Sequence, residues 1–169
     1  GYSLEGDTLS MTLLRASIDP DPLPDLGEHV IEYALVPHGK GWSPGRSTAA
    51  GEEANVPLVV LSCDAHDGDL PPVKSFVRVD HENVRLTALK KAQDDTGVVL
   101  RLVEVDGRET EARVEVAPEL VPKGAKAREV DTLERPTRKN GARLTEAVLT
   151  VRVPAYGNVT VKIGKGSAN

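Results

Sequence analysis

The residues best suited to chemistry lie in 20–42, PDPLPDLGEHVIEYALVPHGKGW. Its DLGEH motif places Asp25, Glu28 and His29 within five positions. Paired carboxylates are used by hydrolases, and a histidine can act as a base or as a metal ligand. Acidic residues among prolines also form ordinary solvated turns. Residue types alone therefore favour a loop that leads into a strand, with His29 at the edge of that strand.

A second acidic group follows the apolar run VPLVVLSC, where Cys63 and His66 lie among aspartates in SCDAHDGD. A zinc or calcium loop is conceivable, but the group lacks a four-ligand zinc pattern and the spacing of an EF-hand. We interpret it as a surface loop and Cys63 as a small core residue. No GxSxG, Walker A or GxGxxG pattern occurs. The sequence thus predicts no catalytic residue and no metal site within this chain.

Bulk composition limits the classes of partner. The chain has 169 residues, a net charge of −5 and 3% aromatic residues. A pI near 5.4 argues against nucleic acid or an anionic membrane surface as a partner. No apolar run approaches the length of a membrane span. The first residues lack the pattern of a signal peptide, and the sequence does not begin with an initiator Met. We expect a segment cut from a longer protein.

Alternation of apolar and polar residues dominates the elements that must position these groups. TEARVEV (110–116) and NVTVKI (158–163) predict half-buried strands, and GVVLRLVEV (97–105) predicts a central strand. Turn signals separate the strands, and Asn140-Gly141 is a favoured tight-turn pair. Further strands are predicted at 8–17, 29–37, 57–62, 75–80, 127–134 and 143–153.

Two segments have mixed patterns. VRLTALKKA (84–92) fits both periods and is predicted to be a strand, and 44–55 is predicted to be a short helix. The whole pattern predicts an all-β fold, an antiparallel β-sandwich with at most one short helix. We expect a single domain over 1–163 and a flexible tail at 164–169.

Read as a pattern, 13–42 resembles the start of the C-terminal β domain of glycoside hydrolase family 38, the α-mannosidases. The residues that carry the likeness are a Leu-Leu-Arg end, a Pro-Asp-Pro loop, Asp-x-Gly-x-His and Tyr-Ala-Leu-x-Pro-His. Later blocks are similar to the family in order. They are EEANVPLVVL (52–61), the ENV…LKKA region (79–109), AREVDTLERP (127–136) and VRVPAYGNVTVKI (151–163).

The resemblance implies a galactose-mutarotase-like, or supersandwich, fold and a parent enzyme that hydrolyses α-mannosides with retention of configuration. In the family, the nucleophile and a divalent metal, usually zinc, belong to an N-terminal catalytic domain. None of those residues maps onto this chain. The resemblance therefore implies that this chain alone is inactive, and that its partners are the catalytic domain and mannose-containing glycans. We expect a cytoplasmic, bacterial parent.

Three roles stay open for such a domain. It can form one wall of the sugar cleft, where Asp25, Glu28 and His29, with Arg15 as a further candidate, would bind substrate hydroxyl groups. It can be a carbohydrate-binding module, although Trp42 and Tyr33 are few aromatics for a stacking platform. It can also be a purely structural module, in which case the DLGEH residues only tie a loop to a strand.

Overall fold

The computed structural model describes residues 1–39 and 44–165. The chain divides into two compact units, Gly1–Pro37 and His38–Asn169, which are treated separately below. The single domain predicted over 1–163 stays a prediction. Of the predicted tail, Gly164 lies in the last strand and 166–169 lie outside the described residues.

The first unit contains one antiparallel hairpin. Strand β1 (Tyr2–Glu5) pairs with β2 (Thr8–Met11) across a turn in which Gly6 has φ +59°. The strand predicted at 8–17 is thus shortened, and the one predicted at 29–37 is wrong, since no strand forms there. A strand is stabilised by a neighbour, and Val30 in this segment is 83% exposed. No neighbouring strand covers these apolar residues in the described part of the first unit.

The second unit begins with helix α1 (Pro44–Asn55), which confirms the helix predicted at 44–55. Proline at the first position suits a helix start because its missing N–H has no intrahelical partner there. At the other end, Asn55 donates from Nδ2 to the Gly51 carbonyl at 2.7 Å. No helix in the described residues is long and apolar enough to cross a membrane.

Eight strands of the second unit form two antiparallel sheets with the orders β4-β5-β10-β7 and β3-β6-β9-β8. This arrangement confirms the predicted antiparallel β-sandwich with one short helix. A 3-10 turn at Pro118–Leu120 joins β6 to β7. The strands are β3 (Val77–Val79), β4 (Val84–Lys91), β5 (Gly97–Glu104), β6 (Thr110–Val116), β7 (Lys126–Val130), β8 (Arg143–Thr145), β9 (Val148–Val153) and β10 (Asn158–Gly164).

The core lies between the two sheets and is aliphatic, as the low aromatic content requires. Leu100 and Leu102 of β5 pack in one cluster with residues of the other sheet such as Val114 and Leu149. The alternation of β6 places Val114 inward and Glu115 outward, so the period-two pattern alone sorts the two faces. The central position predicted for β5 is confirmed, because β4 and β10 flank it.

A β-bulge explains the mixed pattern of 84–92. In β4, Leu86 pairs with Leu102 and Leu89 pairs with Leu100, and the register shifts between Leu86 and Ala88. Because the bulge adds one residue to β4, the two leucines are three positions apart instead of two. Both still pair with inward-facing leucines of β5. The strand prediction is confirmed, and its helix-like spacing is the mark of the bulge.

The region 143–153 is two strands rather than one. Glu146 and Ala147, with φ of +47° and +66°, form the two-residue turn between β8 and β9. Such a turn needs positive φ at both positions, which usually selects Asn or Gly. The Asn140-Gly141 pair instead lies in the preceding loop, where Asn140 Oδ1 accepts the Glu129 N–H at 2.9 Å. Tertiary contacts therefore override the local turn preference.

The strand predicted at 57–62 is also wrong. These residues follow α1 without strand structure, and Leu58 is 93% exposed. The apolar run has no partner strand within the described residues, so its composition is not sufficient to form a sheet. Two other predicted strands, at 75–80 and 127–134, form over shorter ranges, as β3 and β7.

Candidate functional site

The structure brings Asp25 and His29 together in the first unit. The Nε2–H of His29 donates to the backbone carbonyl of Asp25 at 2.8 Å. Asp25 has φ +52° and Gly27 has φ +139°, so the backbone turns tightly between them. The contact uses the carbonyl rather than the carboxylate, and both residues are exposed. This arrangement fits the interpretation that His29 closes a turn, and it leaves the Asp25 carboxylate accessible.

Glu28 and Arg15 are exposed as well. Within the described residues, neither has a hydrogen-bond or ion-pair partner, so the structure does not bring them to the Asp25–His29 contact. Trp42, considered as a sugar-stacking residue, lies outside the described residues. Tyr33 is exposed.

The acidic group after the apolar run forms no metal centre. No cluster of three or more His, Cys, Asp and Glu side chains is placed to hold a metal ion within 1–39 and 44–165. His66 Nδ1 contacts the neighbouring Asp67 carbonyl at 3.0 Å. Cys63 is exposed, so the core position predicted for it is wrong. The run that precedes it packs against no sheet, and burial of Cys63 depended on that packing.

The most developed polar site lies in the second unit, around the buried carboxylate of Glu104. This side chain is 1% exposed, at the end of central strand β5. Its oxygens accept hydrogen bonds from one side-chain amide and four backbone N–H groups. The donors are Asn83 Nδ2 (2.8 Å) and the N–H groups of Asp106 (2.8 Å), Gly107 (2.8 Å), Arg108 (3.1 Å) and Tyr156 (2.9 Å).

This network keeps Glu104 ionised. Burial by itself raises the pKa of the carboxyl, because a charge is poorly solvated in the interior. The hydrogen bonds from Tyr156, Asn83, Asp106 and Gly107 outweigh burial and lower the pKa from 4.5 to about 2. A permanent carboxylate acceptor thus joins the 105–109 loop, the turn before β10 and the start of β4.

Beside this network, α1, the start of β4 and the 105–109 loop enclose a polar cleft of about 350 Å³. Asn83 belongs to both the network and the cleft, and its Nδ2 also donates to Thr110 Oγ1 at 2.7 Å. The lining side chains are mostly charged or polar. They are Arg46, Ala49, Glu82, Asn83, Arg85, Asp106 and Arg108.

Ion pairs set the positions of two arginines in the cleft. Arg85 donates to the Glu52 carboxylate of α1, with Nε at 3.0 Å, and so connects the helix to β4. Arg108 Nη2 lies 3.2 Å from Asp106 Oδ2 within the loop. Arg46 donates from Nη1 to the Gly39 carbonyl at 3.2 Å. The cleft thus presents fixed hydrogen-bond donors next to fixed acceptors.

Sequence reasoning did not identify this site, although one signal was available. In GVVLRLVEV, Leu100, Leu102 and Glu104 alternate on one face, so the pattern places a carboxylate inward at the strand end. A buried carboxylate requires several donors, and the following DG turn can supply backbone N–H groups. The contributions of Asn83, Tyr156 and α1 depend on contacts distant in sequence and had no such signal.

Comparison with known proteins accords with the sandwich architecture. Residues 83–165 match the model of the "Glycosyl hydrolases family 38 C-terminal beta sandwich domain". The matched segment runs from just before β4 through the end of β10, and it includes Asn83, Glu104 and Tyr156. No solved structure matches the chain significantly.

Three curated relatives are α-mannosidases. Alpha-mannosidase 2C1 of Mus musculus is 34% identical over 63% of this chain, and its Homo sapiens counterpart is 33% identical over 63%. Alpha-mannosidase G of Dictyostelium discoideum is 28% identical over 65% of this chain. The matched part is 10% of each relative, so the chain covers about a tenth of their length. Residues 83–165 of this chain are therefore a family 38 C-terminal β-sandwich domain of the α-mannosidases, as the sequence resemblance predicted.

Proposed function

We propose that this chain is a non-catalytic domain of a retaining α-mannosidase that packs on the catalytic domain and helps to shape its sugar cleft. The observation that carries the proposal is the exposure of aliphatic side chains in two segments, 23–36 and 56–61. The α-mannosidases matched by this chain are about ten times as long as the matched part. A catalytic domain of the same parent chain is the partner that we propose for these segments.

Each segment contains an apolar run for which the sequence predicted a strand, within 29–37 in the first and 57–62 in the second. Apolar patches of more than a few hundred Å² are rare on monomeric proteins and usually mark an interface. In 56–61 the five Val and Leu side chains are each at least 70% exposed, and the four at 58–61 are consecutive. An unpaired backbone next to exposed Val and Leu side chains is suited to strand addition by a neighbouring sheet. The exposed side chains are Val56, Leu58, Val59, Val60 and Leu61.

A charge inserted into 56–61 tests the packing proposal. Val60→Asp should leave the unfolding of the 169-residue chain unchanged, because this side chain is exposed. In the intact enzyme the same change should lower the melting temperature, since it would bury an unpaired carboxylate. Leu133→Asp, an exposed apolar residue outside both segments, is the matched control. Equal melting temperatures for the Val60→Asp and wild-type enzymes would show that 56–61 stays exposed and would refute the packing.

The role as a cleft wall concerns Asp25, Glu28 and His29, with Arg15 as the further candidate. Their exposed carboxylate, imidazole and guanidinium groups can exchange hydrogen bonds with sugar hydroxyls. In the intact enzyme we expect Asp25→Ala or His29→Ala to reduce kcat/KM by about tenfold or more, with Asp7→Ala of the same unit as control. Values within about twofold of wild type, well under 1 kcal/mol of transition-state effect, would eliminate this role.

The chemistry and the metal of the parent are proposed to lie in the catalytic domain. Within 1–39 and 44–165 no group of three or more His, Cys, Asp and Glu side chains is placed to hold a metal ion. We propose that the divalent ion that the family resemblance implies, zinc, binds in the catalytic domain. We expect the isolated chain to be inactive on α-mannosides. A chelator should abolish the activity of the parent without shifting the melting temperature of the isolated chain. A cytoplasmic location is proposed from the single cysteine, which allows no internal disulfide.

Two alternatives remain, a free-standing carbohydrate-binding module and a purely structural module. Calorimetric titration of the isolated chain with mannose oligosaccharides separates the first from the proposed role. Micromolar binding would favour the module. Unchanged kcat/KM in the DLGEH variants, together with a lower melting temperature for Val60→Asp, would favour the structural role.

A further inference from the structure

The loop between β7 and β8 contains the exposed pair Asn140-Gly141, which lies along the edge of β7. The Asn140 side chain holds the loop there, because its Oδ1 accepts the Glu129 N–H at 2.9 Å and its Nδ2 donates to the Ala127 carbonyl at 3.4 Å. The Gly141 N–H donates to Glu129 Oε1 at 2.7 Å. Glu129 therefore contacts the pair through both its backbone and its carboxylate.

An Asn-Gly pair can react with itself. The backbone nitrogen of the glycine can attack the side-chain Cγ of the asparagine, which closes a five-membered succinimide ring and releases ammonia. The reaction requires an unhindered nitrogen, a base that takes its proton and a donor to the oxygen on which negative charge develops. Glycine meets the first requirement, because no side chain crowds its nitrogen.

Glu129 meets the other two requirements. Its carboxylate accepts the N–H of the attacking nitrogen at 2.7 Å, within the reach of a general base. Its own N–H donates to Asn140 Oδ1, the oxygen that becomes negative during the attack. A Cβ at residue 141 would lie 3.0 Å from Glu129 Oε1, so glycine also leaves room for the carboxylate. The leaving nitrogen, Nδ2, is restrained only by a long hydrogen bond of 3.4 Å.

We propose that Asn140 is a site of deamidation in the folded chain, with Glu129 as the general base. The Gly141 nitrogen bonds to Asn140 Cγ while its proton passes to the Glu129 carboxylate. The Cγ–Nδ2 bond then breaks, the proton passes on to Nδ2, and ammonia leaves a succinimide. Water, which reaches this exposed loop, adds to the ring and opens it to aspartate or isoaspartate at residue 140.

The modification changes the edge of a sheet. Strand β7 is the last strand in the order β4-β5-β10-β7. Aspartate or isoaspartate at residue 140 has no amide to donate to the Ala127 carbonyl, and it places a second carboxylate beside that of Glu129. Like charges at this distance repel, so the product holds the loop on β7 less firmly than Asn140 does. The site does not depend on the proposed role of the chain in its parent enzyme.

The test is incubation of the full 169-residue chain at neutral pH, with deamidation of Asn140 followed by mass spectrometry. The unstructured peptide TRKNGAR (137–143), which lacks Glu129, is the reference in the same buffer. We expect Asn140 to react about tenfold faster or more in the folded chain, the gain typical of a positioned base. Glu129→Gln should remove this gain, since the amide can still accept the Gly141 N–H but cannot take its proton. Glu115→Gln, exposed on β6, is the matched control.

Two results would overturn the proposal. The first is a reaction in the folded chain that is no faster than in the peptide, which would show that the contacts with β7 protect Asn140. The second is a wild-type rate in Glu129→Gln at an unchanged melting temperature, which would show that the carboxylate is not the base. If Glu129→Gln does not fold, the comparison of the wild-type chain with the peptide still decides whether the folded loop promotes the reaction.

Discussion

The sandwich and the segment 56–61 use the same aliphatic residues with opposite outcomes. In β5, Leu102 is 0% exposed, between β4 and β10 and against the second sheet. In 56–61, Leu58 is 93% exposed and belongs to no sheet. The difference shows that an apolar, strand-like sequence is not sufficient to form a strand. The strand forms only where a partner strand is present.

The largest expected effect tests this comparison directly. Leu102→Ala should destabilise the chain by about 2–5 kcal/mol, because it removes buried methyl groups and leaves a cavity. Leu58→Ala should change the free energy of unfolding by less than about 0.5 kcal/mol, as at other exposed positions. Urea unfolding followed by circular dichroism measures both. Similar losses in the two variants would show that 56–61 is packed in solution, contrary to the structure.

The polar network should give the next largest effect. Glu104→Gln replaces an acceptor-only carboxylate by an amide with one acceptor oxygen, which cannot satisfy all five donors. We expect a loss of roughly 3 kcal/mol, as for other buried charged hydrogen-bond networks. Glu111→Gln on the exposed face of β6 is the matched control and should be nearly neutral. Equal free energies of unfolding for the two variants would show that the Glu104 carboxylate does not stabilise the fold.

The same carboxylate predicts a pH dependence. Its pKa is lowered from 4.5 to about 2 in the folded chain, so between these values the unfolded chain binds the extra proton. The stabilisation from Glu104 is therefore complete above about pH 4.5 and declines as the pH falls towards 2. Unfolding midpoints measured from pH 6 to pH 3 should fall less steeply in Glu104→Gln than in wild type. Parallel pH profiles would contradict the lowered pKa.

The smallest expected effect concerns the connection of α1 to the sandwich. Glu52→Gln weakens the ion pair with the half-buried Arg85, and we expect a loss of roughly 0.5–1 kcal/mol. Hydrogen exchange of the α1 amides should become faster while that of β5 is unchanged. Glu53→Gln, exposed on the same helix, should alter neither. Unchanged α1 exchange in Glu52→Gln would show that other contacts hold the helix.

Several elements could be predicted because their signal is local. The alternation in 110–116 and 158–163 located β6 and β10 to within a residue, and the small-residue segment 44–55 identified α1. The failures involve information that is not local. The turn at Glu146-Ala147 carries no Asn or Gly, and 29–37 and 57–62 have strand patterns without a neighbouring strand.

The candidate sites divide in the same way. DLGEH was recognisable because its residues are adjacent, and the structure joins Asp25 to His29 within that short turn. The cleft was not recognisable because Arg46, Asn83 and Arg108 come from a helix, the start of a strand and a loop. Their proximity does not follow from spacing along the chain.

The sequence by itself determined the all-β class, the aliphatic core, the inward face of each regular strand and the family 38 resemblance. Each of these depends on residue type and period, which act over a few neighbouring positions. Only the tertiary structure decided which apolar runs become strands, where the bulge in β4 falls and that Glu104 is surrounded by donors. Those outcomes require partners from distant parts of the chain, because strand pairing and burial of a charge are stabilised by groups that local sequence does not specify.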